Sequence, residues 1–353
     1  MRSERKTSDS LRRLHYAIAG ILLFILSLSA VGLAGCTESR NDKKGTAGKG
    51  IEHVTCRLKW LFNASVAGEI WARSSGIFRK NGLDVKLMEG GLEHDAIKDL
   101  ELGRVQFAIA SADQIIRAYE KGAHIVVLAQ IFRKNPLGWI YDGTNLHIDT
   151  PQGLKGLTVG ITYGGNDEAI FTALLNRYRI SKDEINLYAI NYDYSPFWKN
   201  EVNLWPVYSN VEGIILSRKM AKNGLRPCFF DPDAFGIHFV ANSLITSERL
   251  YAKRPGLVRR FTKALINGWQ GAMEEKNEQA VAEAVHRLDR DTPLDVIKRQ
   301  LNATRALVLP KDNEAGLGKI DVPSWRQTYE IMLEQGLVSR RVDLDRLLAG
   351  PPP

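Results

Sequence analysis

Five short clusters in this chain combine aromatic rings, amides and carboxylates in a way that suits holding a flat polar molecule. Trp60, Phe62 and Asn63 offer ring faces for stacking and an amide that both donates and accepts. Tyr163, Gly164, Gly165 and Asn166 stand before an apolar-periodic stretch, where free N–H groups at a helix start bind an anion. Asp167 and Glu168 argue against that use, because acids in the first turn already satisfy the helix dipole and repel a phosphate or sulfonate. Asn166 then reads as a helix cap, with Tyr163 beside it as a ligand contact. Tyr208, Asn210 and Glu212 form a third polar cluster, placed just before an apolar run. Ser111 and Asp113 sit where a strand meets its helix, so each is a natural N-cap as well as a polar contact. Phe235, Gly236 and His238 form the last group, and a lone histidine there reads as structural.

The chemistry these residues lack is as informative. The sequence carries no Ser/His/Asp arrangement, no metal-spaced His and Cys, and no phosphate-binding loop. We therefore expect no catalytic residues, no metal and no cofactor.

The elements that would position the clusters alternate. Period-two patterning predicts a strand over 54–60, and helical spacing follows over 64–74. Strands over 84–88, 105–110 and 125–131 are separated by helices over 95–102 and 112–121, the layout of βαβ units around a mostly parallel sheet. The pattern restarts near Asp149, with strands over 157–161, 187–189 and 213–216 and a helix over 167–178. Beyond Ser247 the chain reads as helical, over 257–273, 278–288, 294–307 and 324–335. A strand-rich middle between flanks of different character predicts an α/β fold of two lobes. Lobe 1 spans 51–147 and 240–345, and lobe 2 is inserted over 148–239. Hinge crossings fall near 145–150 and 237–243, and residues 346–353 form a disordered tail.

The first 36 residues decide the compartment. Arg2, Arg5, Lys6, Arg12 and Arg13 lead into an apolar run over 17–33, and Leu33-Ala34-Gly35-Cys36 ends it with small residues and a thiol. This resembles a bacterial lipobox, with Cys36 lipidated before cleavage. Residues 37–50 are polar and Gly-containing and read as a flexible tether. The whole chain carries a formal +8; without residues 1–35 it holds 43 Lys and Arg against 38 Asp and Glu, a formal +5. The scattered charge argues against nucleic-acid binding. Cys56 and Cys228 fall in different predicted lobes and read as buried free thiols.

Six blocks in register carry a resemblance: LKWLFNASVAGEIWA (58–72), NGLDVKLMEGG (81–91), VQFAIASADQI (105–115), VGITYGGNDEAIFTALL (159–175), WPVYSNVEGIIL (205–216) and DAFGIHFVANSLITSERL (233–250). Together they resemble the thiamine-pyrimidine-precursor binding proteins, relatives of the fungal pyrimidine synthases and of sulfonate, taurine and nitrate receptors. The resemblance implies the type II periplasmic-binding-protein-like fold, two lobes closing on a cleft. It implies an ABC permease and its ATPase as partners, and a monomeric receptor tethered outside the membrane. It also implies that the acid of the 205–216 block, here Glu212, accepts from the ligand's amino group. From the aromatic residues themselves we expect a ring to insert between Trp60 and Tyr163 or Tyr208 as the inserted lobe closes. The family's Asn-Glu-Pro stands here as Val211-Glu212-Gly213. That departure leaves an aliphatic sulfonate or taurine as the alternative ligand. A pyrimidine-synthase-like enzyme is a further alternative. Those relatives consume one of their own histidines and carry clustered cysteines, whereas Val66 and Ala67 stand where that histidine would fall. A sensor receptor is the third reading.

Overall fold

The computed structural model describes residues 50–91, 94–191, 193–309 and 316–352. The signal segment, Cys36 and all of the tether except Gly50 lie outside them. Ten strands are described: β1 (Glu52–Arg57), β2 (Leu83–Met88), β3 (Phe107–Ala110), β4 (Ile125–Gln130), β5 (Leu137–Asp142), β6 (Thr158–Ile161), β7 (Asn186–Ala189), β8 (Trp205–Tyr208), β9 (Pro227–Phe230) and β10 (Ser243–Ser247). The helices of eight or more residues are α1 (Ala67–Ser74), α2 (Ala112–Glu120), α3 (Asn166–Arg177), α4 (Glu212–Lys222), α5 (Pro255–Met273), α6 (Glu278–His286), α7 (Leu294–Val308) and α8 (Val322–Glu334).

The first sheet runs β2-β1-β3-β10-β4. β1 is parallel to β2 and β3, with Val54 opposite Val85 and Cys56 opposite Phe107, while β10 is antiparallel to both its neighbours. In the second region β6 and β7 are parallel, and β5 is antiparallel to β8 and β9. A parallel bridge from Val159 to Leu204, with the Gly160 N–H donating to the Leu204 carbonyl at 2.9 Å, links β6 to the start of β8. The second order is therefore β7-β6-β8-β5-β9. Each sheet contains one strand, β10 or β5, that runs against both neighbours and enters from the other sheet.

The run 125–129 is apolar without alternation because β4 is buried along its whole length. Three apolar clusters follow from such patterns. One joins β1 and β3 to α1, α5 and α6, and a smaller one holds Ile140, Trp205, Leu216 and Met220. The third runs from Ile97 and Val127 through Val159 and Phe171 to Trp325 and Met332, so it is continuous between the two sheets. α1 and α5 cross where small residues allow close approach: a Cβ on Gly68 would stand 2.1 Å from the Trp269 ring, and one on Gly268 2.5 Å from Ala72 Cβ.

Four expectations are corrected. Residues 213–216 belong to helix α4, because Gly213, Leu216 and Met220 share its buried face and Ile215 is left exposed; three consecutive branched apolar residues mimicked a strand. The chain changes sheets over 131–136 and not over 145–150, since β5 pairs with β8 and β9. The tail is docked: Leu344–Leu347 is helical, Leu347 is buried, and the Gly350 N–H donates to the Val127 carbonyl at 3.0 Å. Both cysteines are free, but only Cys56 is buried; Cys228, on β9, is half-buried.

The two connections between sheets are bonded to one another. Lys134 pairs with Asp231 at 2.8 Å and Asp233 at 3.2 Å, and the N–H groups of Ile131 and Phe132 donate to the Asn242 carbonyl at 2.9 and 3.1 Å. Among the described residues no helix is long and apolar enough to cross a membrane.

Candidate functional site

The first wall of the site is the segment that leaves β1. Arg57, nearly buried, pairs with Asp99 at 2.7 Å and donates to the Glu89 carbonyl at 2.6 Å, which fixes the base of the segment. The Phe62 N–H donates to the Glu89 carboxylate at 2.8 Å, and the Gly90 N–H to the Trp60 carbonyl at 3.0 Å. Gly90 must be glycine here, because a Cβ would lie 2.1 Å from the Leu58 carbonyl oxygen. Trp60 and Phe62 emerge half-buried. Asn63 is committed locally: its Oδ1 accepts from the Ser65 N–H at 2.8 Å and caps the short turn Ala64–Val66.

The facing wall comes from the ends of β6 and β8. Asp167 accepts from the Thr162 N–H at 2.6 Å and Glu168 from the Gly164 N–H at 2.8 Å, so these carboxylates occupy loop donors that an anion would use. Burial pushes the Asp167 carboxyl up, while the hydrogen bonds from Thr162 and the local backbone pull it back. Gly164 turns the chain with φ 77°, and Gly165 has no room for a side chain, since a Cβ would lie 2.4 Å from Asp167 Oδ1. Tyr163 is 58% exposed at the lip. The cap of α3 is Gly165, not Asn166, whose side-chain amide donates to the Tyr208 hydroxyl.

Tyr208 is where the two walls meet. Its hydroxyl accepts from Asn166 Nδ2 at 3.3 Å and from the ammonium of Lys59, which also stands 5.0 Å over its ring. Its N–H donates to Glu212 Oε2 at 3.3 Å. Glu212 opens α4 and does not precede a strand; burial pushes its carboxyl above the usual range, against the backbone hydrogen bonds and the Lys59 charge. Nearby, burial and secondarily Glu212 push the Tyr194 hydroxyl up to about 12.

Beneath this cluster Asn210, fully buried, ties the walls together. Its Nδ2 donates to Ser65 Oγ at 3.0 Å and to Thr304 Oγ1 at 2.9 Å, and Gln300 of α7 donates to the Val211 carbonyl at 3.4 Å. Asn210→Ala is expected to lower stability by about 1–3 kcal/mol, read as a lower urea midpoint, because buried groups lose their partner.

The other sequence candidates are not gathered here. Ser111 is fully buried at the N-cap of α2, where Gln114 returns to its N–H at 3.3 Å, and Asp113 is buried and paired with Arg117 at 3.2 Å. Phe235 stacks on Phe230 at 5.1 Å and lies against Tyr178, past the C-terminal end of α3 and so a helix length from Asn166. Lys59 is the residue the sequence reading passed over. The alternation that buries Val54, Cys56 and Leu58 already sends Lys59 to the opposite side of the segment, and that was the available signal. Among the described residues no group of three His, Cys, Asp or Glu is placed to hold a metal.

The family model described as NMT1/THI5 like matches residues 63–279, more than half of the chain. The chain belongs to the NMT1/THI5 like family. It is 22% identical over 320 residues to the riboflavin-binding protein RibY of Chloroflexus aurantiacus, covering 84% of each chain. It is 23% identical over 325 residues to a formylaminopyrimidine-binding protein of Halalkalibacterium halodurans, covering 89% of this chain and 95% of that one. In structure it is similar to the periplasmic aliphatic sulphonate binding protein SsuA of Escherichia coli, with a TM-score of 0.67 at 16% identity over 85% of this chain and 93% of that one. That likeness fixes the fold as the two-lobed periplasmic-binding-protein type.

Proposed function

We propose that this member of the NMT1/THI5 like family is an exported, lipid-anchored substrate-binding protein that holds a flat nitrogen heterocycle between its lobes. It passes the ligand, as a monomer outside the membrane, to an ABC permease driven by its ATPase. The observation that carries this reading is the meeting of Lys59, Asn166 and Glu212 on Tyr208, at facing ends of strands from both sheets, with Trp60 half-buried on the opposing segment. A ring stacked on Trp60 and Tyr208 would present its exocyclic amine to Glu212. The relatives' ligands, riboflavin and formylaminopyrimidine, are nitrogen heterocycles, and an aminopyrimidine thiamine precursor is the ligand we favour. A sulfonate is disfavoured, because Asp167 and Glu168 occupy donors it would need. The lipid anchor rests on the sequence around Cys36.

Calorimetric titration with 4-amino-5-hydroxymethyl-2-methylpyrimidine and with taurine tests the reading. The pyrimidine should bind, and Glu212→Ala should weaken it about ten- to hundredfold, the worth of a hydrogen bond to a charged group. The ionised carboxylate is the acceptor, and its pKa is raised, so affinity should fall as pH drops through that raised value. Glu212→Gln should remove this pH dependence. Taurine binding in place of the pyrimidine would leave the fold standing and overturn the ligand.

A further inference from the structure

Helix α4 presents a one-signed face to solvent. Its exposed residues, Ile215, Arg218, Lys219, Ala221 and Lys222, are all apolar or cationic, and its one acid, Glu212, accepts from the Tyr208 N–H. From Gly213 to Phe230 the chain carries four cations, Arg226 being the fourth, and no acid. The run ends on β9, an edge strand of the second sheet, where Phe229 is as exposed as Ile215, at 41%. Between α4, Pro227 of β9 and Arg299 of α7 lies an open groove of about 580 Å³, lined also by Ile214, Ala221, Arg218 and Lys222. Arg218 pairs with Asp295 at 2.7 Å, the Arg226 N–H donates to the Asp142 carboxylate at 3.0 Å, and Lys219 stands 4.5 Å over the Trp198 ring. Lys222 and Arg299 have no ion pair among the described residues.

Cations gathered about exposed apolar side chains suit the interface of an anionic bilayer, where Lys and Arg reach the phosphates while neighbouring Ile and Phe enter the boundary of the acyl chains. A free anion would satisfy the cations and leave Ile215 and Phe229 in water. An uncharged apolar partner would bury Lys222 and Arg299 unpaired. Residues 37–50 extend to about 50 Å at most, about the diameter of a compact body of roughly 300 residues, so an anchor at Cys36 lets this face reach the bilayer. We propose that the surface of α4, β9 and Arg299 docks on the headgroups of an anionic membrane, Ile215 and Phe229 entering the interface and Lys222 and Arg299 meeting phosphate. This goes beyond ligand capture and rests on the anchored reading only for the nearness of a bilayer.

The full-length protein is reconstituted into vesicles of phosphatidylcholine, without and with phosphatidylglycerol, and amide hydrogen exchange is followed over 213–230. Exchange should slow about five- to twentyfold in the anionic vesicles, each Lys or Arg at such a surface being worth about fivefold. High salt should abolish the slowing. Lys222→Gln with Arg299→Gln should restore the rate seen in neutral vesicles, whereas Lys222→Arg with Arg299→Lys should keep the slowing. Ile215→Ser with Phe229→Ser should remove most of it, and a melting curve checks the fold of each variant. Equal exchange in the two kinds of vesicle, or slowing that survives Lys222→Gln with Arg299→Gln, overturns the inference. Equal slowing by polyglutamate added to the neutral vesicles also overturns it, and would make this a surface for an acidic protein segment. A chain that leaves the neutral vesicles overturns the anchor alone; docking then reads as cosedimentation with the anionic vesicles, and failure there overturns the docking as well.

Discussion

Glu69→Gln should gain stability over the wild type as pH rises, by about 3 kcal/mol between pH 4.5 and pH 8. Glu69 lies on α1 at 1% exposure, and its Oε2 has no hydrogen-bond partner. Burial raises its carboxyl from 4.5 to about 7, against its backbone hydrogen bond and the nearby Trp269 indole, which lower it. The folded state thus keeps a proton that the unfolded chain releases above about 4.5. Stability contributed by that proton is lost as pH climbs from about 4.5 towards 7 and is gone above it. Glutamine has no proton to lose, so the difference between the two proteins should open across this window. Cys56, whose thiol is held up by burial and then by Glu69, stays protonated throughout. Urea midpoints measured from pH 4.5 to 8.5 decide the matter; a gap that stays constant across the range would mean that Glu69 does not titrate there.

Trp269→Ala is expected to cost about 3–5 kcal/mol, the range for removing a fully buried large aromatic. The ring is 0% exposed, fills the space over Gly68 that no side chain could share, and meets Phe132 edge-on at 5.8 Å. The vacancy should also admit water beside Glu69; relief of burial, the largest cause of its raised carboxyl, outweighs the lost indole and lets the carboxyl ionise more easily. The cost should therefore be larger at pH 4.5 than at pH 8, where the wild type already bears the burden of a buried charge. Chemical denaturation at the two pH values reads both effects, and a cost independent of pH would separate Trp269 from the Glu69 environment.

The sequence was most legible where periodicity and burial coincide. The alternation through Val54, Cys56 and Leu58 predicts β1, and the 167–178 pattern predicts α3 to within a residue at each end. It failed where tertiary pairing overrides local pattern. β5, Leu137–Asp142, follows an Asn135-Pro136 break, but a break does not name the sheet a strand joins, and only its hydrogen bonds to β8 and β9 assign it. Ile214 and Ile215 favoured a strand that the buried face of α4 overrules. At the site, residue type pointed to Trp60, Tyr208 and Glu212, whose chemistry is visible in one letter. It left Asn63, Asn166 and Asp113 open, since a short polar side chain serves a backbone cap, a neighbouring side chain or a ligand equally well. Lys59 was hidden by the commonness of lysine at the end of a strand.

The reciprocal entry of β5 and β10 sets an order on how the protein matures as it leaves the ribosome. Every strand of the second sheet lies between Leu137 and Phe230, so that sheet can close while the chain is still being made. The first sheet holds β1 to β4 from the outset, yet β3 and β4 have no partner between them until Ser243–Ser247 arrives. The half of the protein that emerges first is therefore finished last, and β3 and β4 wait with open edges for over a hundred residues of synthesis. For a chain read as exported, that delay leaves the core behind the Trp60 wall, where α5 packs on α1, open until most of the polypeptide has been made.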